Sequence, residues 1–350
     1  MTTQRAGADM RECENAQLAD LRIFSGSAHP QLAREICDIL GVELQPTVTR
    51  RFSNDNLFVH LGCSVREKQV FIIQSFSPPA VSDHLLELFM MLDIARSASA
   101  RRVHAVIPYY SYGRSDKKDA PRISITGRLI ADLLATAGAT HVITMSLHSP
   151  QVHGFFSVPT DELTPRSILA NHFKGRDLAS TVVVAPDIGH AKQAAEFAEL
   201  LGDLPVAAGN KTRFDDERVE VEIIGDLRGC RKAIVIDDEI ATGSSVLETV
   251  EQLRNRGIFG ISVACTDGVF TGDALPKLGA ISEIKEIVTT NTVPLPRKKR
   301  LPNMTVLSVA PLFAEAIRRN YLGQSLGDLF TAWKEVKRGP DPQDPVAQED

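Results

Sequence analysis

Two doubly wound α/β domains, each built on a parallel sheet, are predicted by three observations. Short apolar runs alternate regularly with helix-periodic segments, the runs are apolar throughout rather than every second residue, and 350 residues exceed what one core normally organises. In the first half, strands are predicted near 70–74, 103–108 and 141–145, with helices near 84–98 and 125–137 between them. The second half repeats the theme, with strands near 181–184, 233–236, 260–266 and 286–289 and helices near 189–201, 246–255 and 311–319. Residues 1–20 and 339–350 are polar and rich in Pro or acids, and read as mobile tails without chemistry.

Composition narrows the class. With 43% hydrophobic and 24% charged residues the chain reads as globular, and no uncharged apolar run approaches the ~18 residues of a membrane span. The N-terminus lacks the apolar core of a secretory signal, and the five cysteines show no Cys-x-x-Cys pair, so a reducing cytoplasm is expected. A net charge of −5 argues against a nucleic-acid surface. The basic run Arg297 to Arg300 reads as a solvated loop before the next strand.

The most informative stretch is AIVIDDEIATGSSVL, from Ala233 to Leu247. An apolar strand ends at Ile236, Asp237 and Asp238 follow it, and Thr242, Gly243, Ser244 and Ser245 form a small-residue loop into a helix beginning at Val246. Backbone N–H groups at a helix N-terminus suit a phosphate dianion, and the paired acids suit sugar hydroxyls or a hydrated cation. An acidic strand end with a helix cap would satisfy the same residues. No Lys follows Gly243, so the loop is not a Walker A loop.

This stretch resembles the phosphoribosyl diphosphate (PRPP) loop of type I phosphoribosyltransferase folds. Several further blocks occur in the order and spacing of ribose-phosphate pyrophosphokinases, the PRPP synthetases. They are Phe52-Ser53-Asn54, Phe71 to Ser75, Tyr112 to Asp119, Leu147 to Phe156, Ala185 to Gly189, Asn291 to Pro294 and Ala314 to Arg319. The similarity spans about residues 20–330.

The resemblance implies domains at 21–163 and 164–321, with 322–338 returning to the first, the last helix lying near 325–336. It implies a Mg²⁺-dependent enzyme that moves the β,γ-diphosphoryl group of ATP to the 1-hydroxyl of ribose 5-phosphate. Asp237, Asp238, Ala241 and Thr242 to Ser245 would bind ribose 5-phosphate. His148 and Asp187 would site the metal, and Lys211 and Arg213 would be the cations of a mobile catalytic loop; on local sequence alone, that last segment also reads as an exposed hairpin. Arg114, Ser115 and Asp116 would lie at ATP, and Phe52, Asn54 and Asn56 would complete the adenine pocket of a neighbouring subunit in a homo-oligomer, a hexamer by family resemblance.

Departures accompany the matches. Ser146 stands where the family usually has Asp, Ala241 where it has a third acid, Asp267 where it has His, Ser115 for Gln, Asn56 for Glu and His190 for Gly. Asn56 and Ser115 alter the adenine side. Two competing assignments share these motifs: a non-catalytic PRPP-synthetase-associated subunit, and a phosphoribosyltransferase that consumes PRPP.

Overall fold

The computed structural model describes residues 18–213 and 219–330. The first half runs β1 (Leu21–Ser25), α1 (Pro30–Leu40), β2 (Leu44–Gln45), β3 (Thr47–Arg51), β4 (Leu57–Leu61), β5 (Gln69–Ile73), α2 (Val81–Ser97), β6 (Arg102–Ile107), α3 (Thr126–Ala137), β7 (His141–Met145) and β8 (Thr160–Leu163). The second runs α4 (Arg166–Phe173), β9 (Thr181–Ala185), α5 (Ala191–Glu199), β10 (Val206–Arg213), β11 (Val219–Ile224), β12 (Lys232–Ile240), α6 (Ser244–Asn255), β13 (Gly260–Gly268), α7 (Ala274–Gly279), β14 (Ile284–Thr290), β15 (Met304–Leu307) and α8 (Ala310–Leu322).

The first sheet has the order β2-β1-β5-β6-β7-β8 and the second β11-β10-β9-β12-β13-β14-β15. All pairings in these sheets are parallel except β10 with β11. Both faces of each sheet are covered, which explains why central runs such as Val70 to Ile73 and Val182 to Ala185 are apolar at consecutive positions. In the first sheet Val70 and Ile72 pack with Leu88 and Leu134 of α2 and α3, while Phe71 and Ile73 pack with Ile36 and Phe313 of α1 and α8. In the second, Val182 and Val184 pack with Val250 of α6, and Val183 and Ala185 with Phe173 and Phe197 of α4 and α5. Each large side chain so buried stabilises the fold by roughly 1.5–3 kcal/mol before entropy is counted.

The strand order of the second sheet positions the site. From β9 the chain steps outward to β10, and from β12 it steps the other way to β13, so α5 and α6 cover opposite faces. Right-handed crossovers in opposite directions leave a crevice at the C-terminal ends of the two central strands, here β9 and β12.

Several expectations are corrected. The chain returns to the first sheet at α8, beginning at Ala310 rather than 322, because Phe313 and Ile317 share a core with Leu32 and Ile36 of α1. Leu18 is 8% exposed and Asp20 pairs with Lys68 at 2.5 Å, so residues 18–20 belong to the folded body. The rest of both expected tails lies outside the described residues. Of the helix expected at 325–336, the described part is a short 3-10 turn, Gly327–Phe330. The antiparallel ribbon β3–β4 has no long apolar run to announce it, since β3 carries two arginines and no fully buried residue. Among the described residues, no helix is long and apolar enough to cross a membrane.

Candidate active site

The apolar run predicted to end at Ile236 is the core of a longer strand. β12 continues to Ile240 because β13 keeps pairing with it, Asp237 opposite Cys265 and Glu239 opposite Asp267. Asp237 and Asp238 therefore lie within the strand, not beyond it, and hydrogen bonding to a neighbour outweighs the low strand propensity of Asp. Helix α6 begins at Ser244, two residues earlier than predicted, so the connecting loop is Ala241 to Gly243. Gly243 has φ 78, a left-handed conformation that costs other residues about 1–2 kcal/mol. Thr271 N–H donates to Ala241 O at 2.9 Å and tethers the loop, while Thr242 and Ser244 hydroxyls meet at 3.1 Å. Ser244 and Ser245 form the first turn of α6, where N–H groups and the helix dipole favour an anion.

Opposite this loop stand residues from the first sheet. His148, three residues beyond β7, donates from Nδ1 to Asp238 Oδ2 at 2.5 Å. Burial would raise the Asp238 carboxyl, but the His148 hydrogen bond and the charges of His148 and His190 hold it down at about 2. The hydrogen bond to Asp238 raises the His148 imidazole in turn. Burial and the neighbouring Asp238 charge push the Asp237 carboxyl upward. Arg114 Nη2 lies 3.3 Å from Glu239 Oε1, and Tyr109 O–H donates to Glu239 Oε2 at 3.1 Å. Burial leaves the Glu239 carboxyl raised despite Arg114. The contacts join the two sheets across their strand ends.

A cleft of about 750 Å³ opens here, lined by Arg114, Asp116, His148, Asp187, Asp238 and Ser245 among others. Asp187 follows β9, and its Oδ1 accepts the Gly189 N–H at 2.8 Å. It shares the cleft with His148, but the carboxylate bonded to His148 is Asp238. Ser115 is not among the cleft-lining residues: its hydroxyl donates to Ser124 O at 3.1 Å and accepts from Thr126 N–H at 3.0 Å, closing the loop onto α3. Phe52, Asn54 and Asn56 form the tip of the β3–β4 ribbon, away from the cleft lining, with Phe52 45% exposed and Arg50 over its ring at 5.2 Å. Lys211 and Arg213 stand on β10 opposite Val221 and Val219, in the part of the β10–β11 hairpin beyond Ala208, where pairing with β9 ends.

Sequence reasoning missed Glu239, Tyr109 and the role of His190. Glu239 was signalled as the third consecutive acid. His190, three residues after Asp187, places its ring 5.6 Å from that of His148, edge to face. Tyr109 carried no local signal, since its partner is 130 residues away.

Parallel sheets with a small-residue loop between an acidic strand and a helix make this a phosphoribosyltransferase-type α/β protein. Residues 21–138 match the family profile of the N-terminal domain of ribose phosphate pyrophosphokinase, and residues 207–331 that of the phosphoribosyl synthetase-associated domain. A putative ribose-phosphate pyrophosphokinase of Streptomyces coelicolor is 53% identical over 316 residues, covering 90% of this chain and 99% of the relative. The ribose-phosphate pyrophosphokinase of Deinococcus radiodurans is 48% identical over 323 residues, covering 91% and 100%. The crystal structure of phosphoribosylpyrophosphate synthetase from Mycobacterium smegmatis matches with a TM-score of 0.82 at 36% identity, covering 87% of this chain and 99% of that one. The chain belongs to the ribose-phosphate pyrophosphokinase family, a family of diphosphate-transferring enzymes.

Proposed function

We propose that this chain transfers the β,γ-diphosphoryl group of ATP to the 1-hydroxyl of ribose 5-phosphate, giving PRPP and AMP. The observation that carries the reading is the juxtaposition at one cleft: the Ala241 to Ser245 turn at the start of α6 faces His148 and Arg114 from the other sheet. The turn supplies N–H donors for the 5-phosphate, and Asp237 and Asp238 accept hydrogen bonds from the sugar hydroxyls. Arg114 and Asp116 flank the nucleotide end of the cleft. The 1-hydroxyl oxygen bonds to the β-phosphorus, the bond from that phosphorus to the α,β-bridging oxygen breaks, AMP leaves with the electron pair, and the hydroxyl proton is lost. Positioning and charge neutralisation supply the catalysis, with no covalent enzyme intermediate.

Lys211 and Arg213 belong to a hairpin that outruns its sheet, an arrangement suited to a lid that brings positive charge to the phosphates and excludes water. Magnesium fits the donor chemistry of the cleft, since it binds through one or two carboxylates plus substrate phosphates and the Asp187 carboxylate lines the same space as the His148 imidazole. Asp187 and His148 would hold it, and when bound it neutralises charge on the triphosphate. The exposed aromatic tip at Phe52, with Asn54 and Asn56, is suited to completing a neighbouring subunit's adenine pocket, so the working form is a homo-oligomer, a hexamer on the family pattern. Its substrates and its free thiols at Cys37, Cys63, Cys230 and Cys265 suit a cytoplasmic site of action.

The test is the purified chain alone with ribose 5-phosphate, Mg²⁺ and ATP, with products separated by chromatography. AMP and PRPP should form in equal amounts. No AMP from ATP, GTP or CTP, together with stimulation of an added PRPP synthetase, would instead establish a regulatory subunit.

A further inference from the structure

The cleft contains a donor set that magnesium alone does not explain. His148, His190 and Asp238 each bring one ligand atom into a group lying within 4.8 Å of one another. His148 Nδ1 is 2.5 Å and His190 Nε2 3.9 Å from Asp238 Oδ2. Those separations straddle the edge, about 3 Å, of a coordination polyhedron with ~2.1 Å bonds, so small ring rotations suffice to seat an ion. His190 Nδ1 is buried without a hydrogen-bond partner and lies 3.8 Å from Asp237 Oδ1. All three residues line the open cleft, so an ion could enter and the remaining coordination positions would face substrate phosphates.

We propose that His148, His190 and Asp238 form a site for a nitrogen-preferring divalent cation, of the Co²⁺, Ni²⁺ or Zn²⁺ type, in preference to Mg²⁺. The chemistry follows from the ligands. Magnesium is a hard cation that prefers oxygen donors and gives up water reluctantly, whereas two imidazoles and a carboxylate favour later first-row ions, with open positions left for exchange. His190 is the deciding residue, because without it one nitrogen and one carboxylate remain. The site rests on the proposed transferase cleft and shares His148 with the magnesium position, so the two ions are alternatives at that imidazole, and the cation preference is measurable without the reaction.

The full chain, stripped of metal and free of substrates, is titrated calorimetrically with CoCl₂, NiCl₂ and MgCl₂ separately, with Co²⁺ also followed by its visible absorption. Co²⁺ and Ni²⁺ should bind at least ~10-fold tighter than Mg²⁺, with one equivalent per chain carrying the cobalt signal. His190→Ala should weaken Co²⁺ by at least ~10-fold and change Mg²⁺ by less than about threefold, and His190→Gln, which keeps the bulk, should behave like His190→Ala. Equal affinity of the unmodified protein for Co²⁺ and Mg²⁺ overturns the proposal, and this comparison needs no variant to fold. Unchanged Co²⁺ affinity in both His190 variants overturns it too. AMP formation with Mg²⁺ alone reports separately on the transfer reaction.

Discussion

The two sheets share one architecture and carry opposite charge at their facing edges. Beyond β6 and β7 the first presents Arg114 and His148, whereas the second presents Asp187 after β9, Asp237 to Glu239 on β12 and Asp267 on β13. Two of these acids make the contrast sharp. Asp238 and Asp267 are 7% and 4% exposed, and burial pushes both carboxyls upward. Asp238 nevertheless ends near 2, because His148 reaches it from the other sheet. Asp267 is held well above the usual carboxylate range by burial and by the Glu239 and Asp238 charges, which the Thr292 hydroxyl donating at 2.6 Å does not offset. At similar burial, a cationic partner decides whether the carboxyl ends below its ordinary range, and without one burial keeps it above.

Lys211 provides the severest test of a division into a cationic and an acidic edge, because it is a cation carried by the acidic sheet. Lys211→Ala should lower kcat by at least ~100-fold while ATP affinity stays within a few-fold, since a lid cation acts on charge in the transition state. Equal losses in binding and rate would make it an ordinary binding residue. Asp237→Asn and Asp238→Asn should each reduce kcat/KM for ribose 5-phosphate by roughly 10–100-fold, with a much smaller effect on ATP, as steady-state kinetics with each substrate varied will report. Near-native parameters for ribose 5-phosphate would leave the acids as a capped strand end.

Smaller effects sharpen the comparison of the buried acids. The folded-state pKa of Asp267 is raised above its unfolded value, so its ionisation opposes folding: stability is lost as pH climbs from about 4 toward the folded pKa. Asp267→Asn keeps an acceptor for Thr292 and removes that loss. Thermal melts across pH should show no gain near pH 3 and a gain on the order of 1 kcal/mol, about 2–4 °C, at neutral pH. The smallest effect is expected across the sheets at Arg114 and Glu239, where the arginine is half exposed and solvent screens the pair. A double-mutant cycle with Arg114→Ala and Glu239→Gln should return a coupling of about 0.2–1 kcal/mol in ATP binding. A coupling near zero would leave Tyr109 as the contact that orients Glu239.

The amino-acid sequence by itself determined the β-α alternation, the two parallel sheets, and the acidic strand followed by a glycine-containing turn. These are local properties: apolar runs report burial on both faces, and small residues report a turn that leads into a helix. Tertiary structure decided which strand ends meet. His148 finds Asp238 across 90 residues and Tyr109 finds Glu239 across 130, because β9 and β12 are neighbours at a switch point that faces the edge of the first sheet. It also carried β12 through its three acids, since a strand's length depends on whether β13 continues beside it. The early return of the chain at α8 was settled the same way, by an apolar face that found its partner in α1 some 270 residues earlier. Local pattern encodes what each segment buries, and only the packed sheets decide which charges it is buried against.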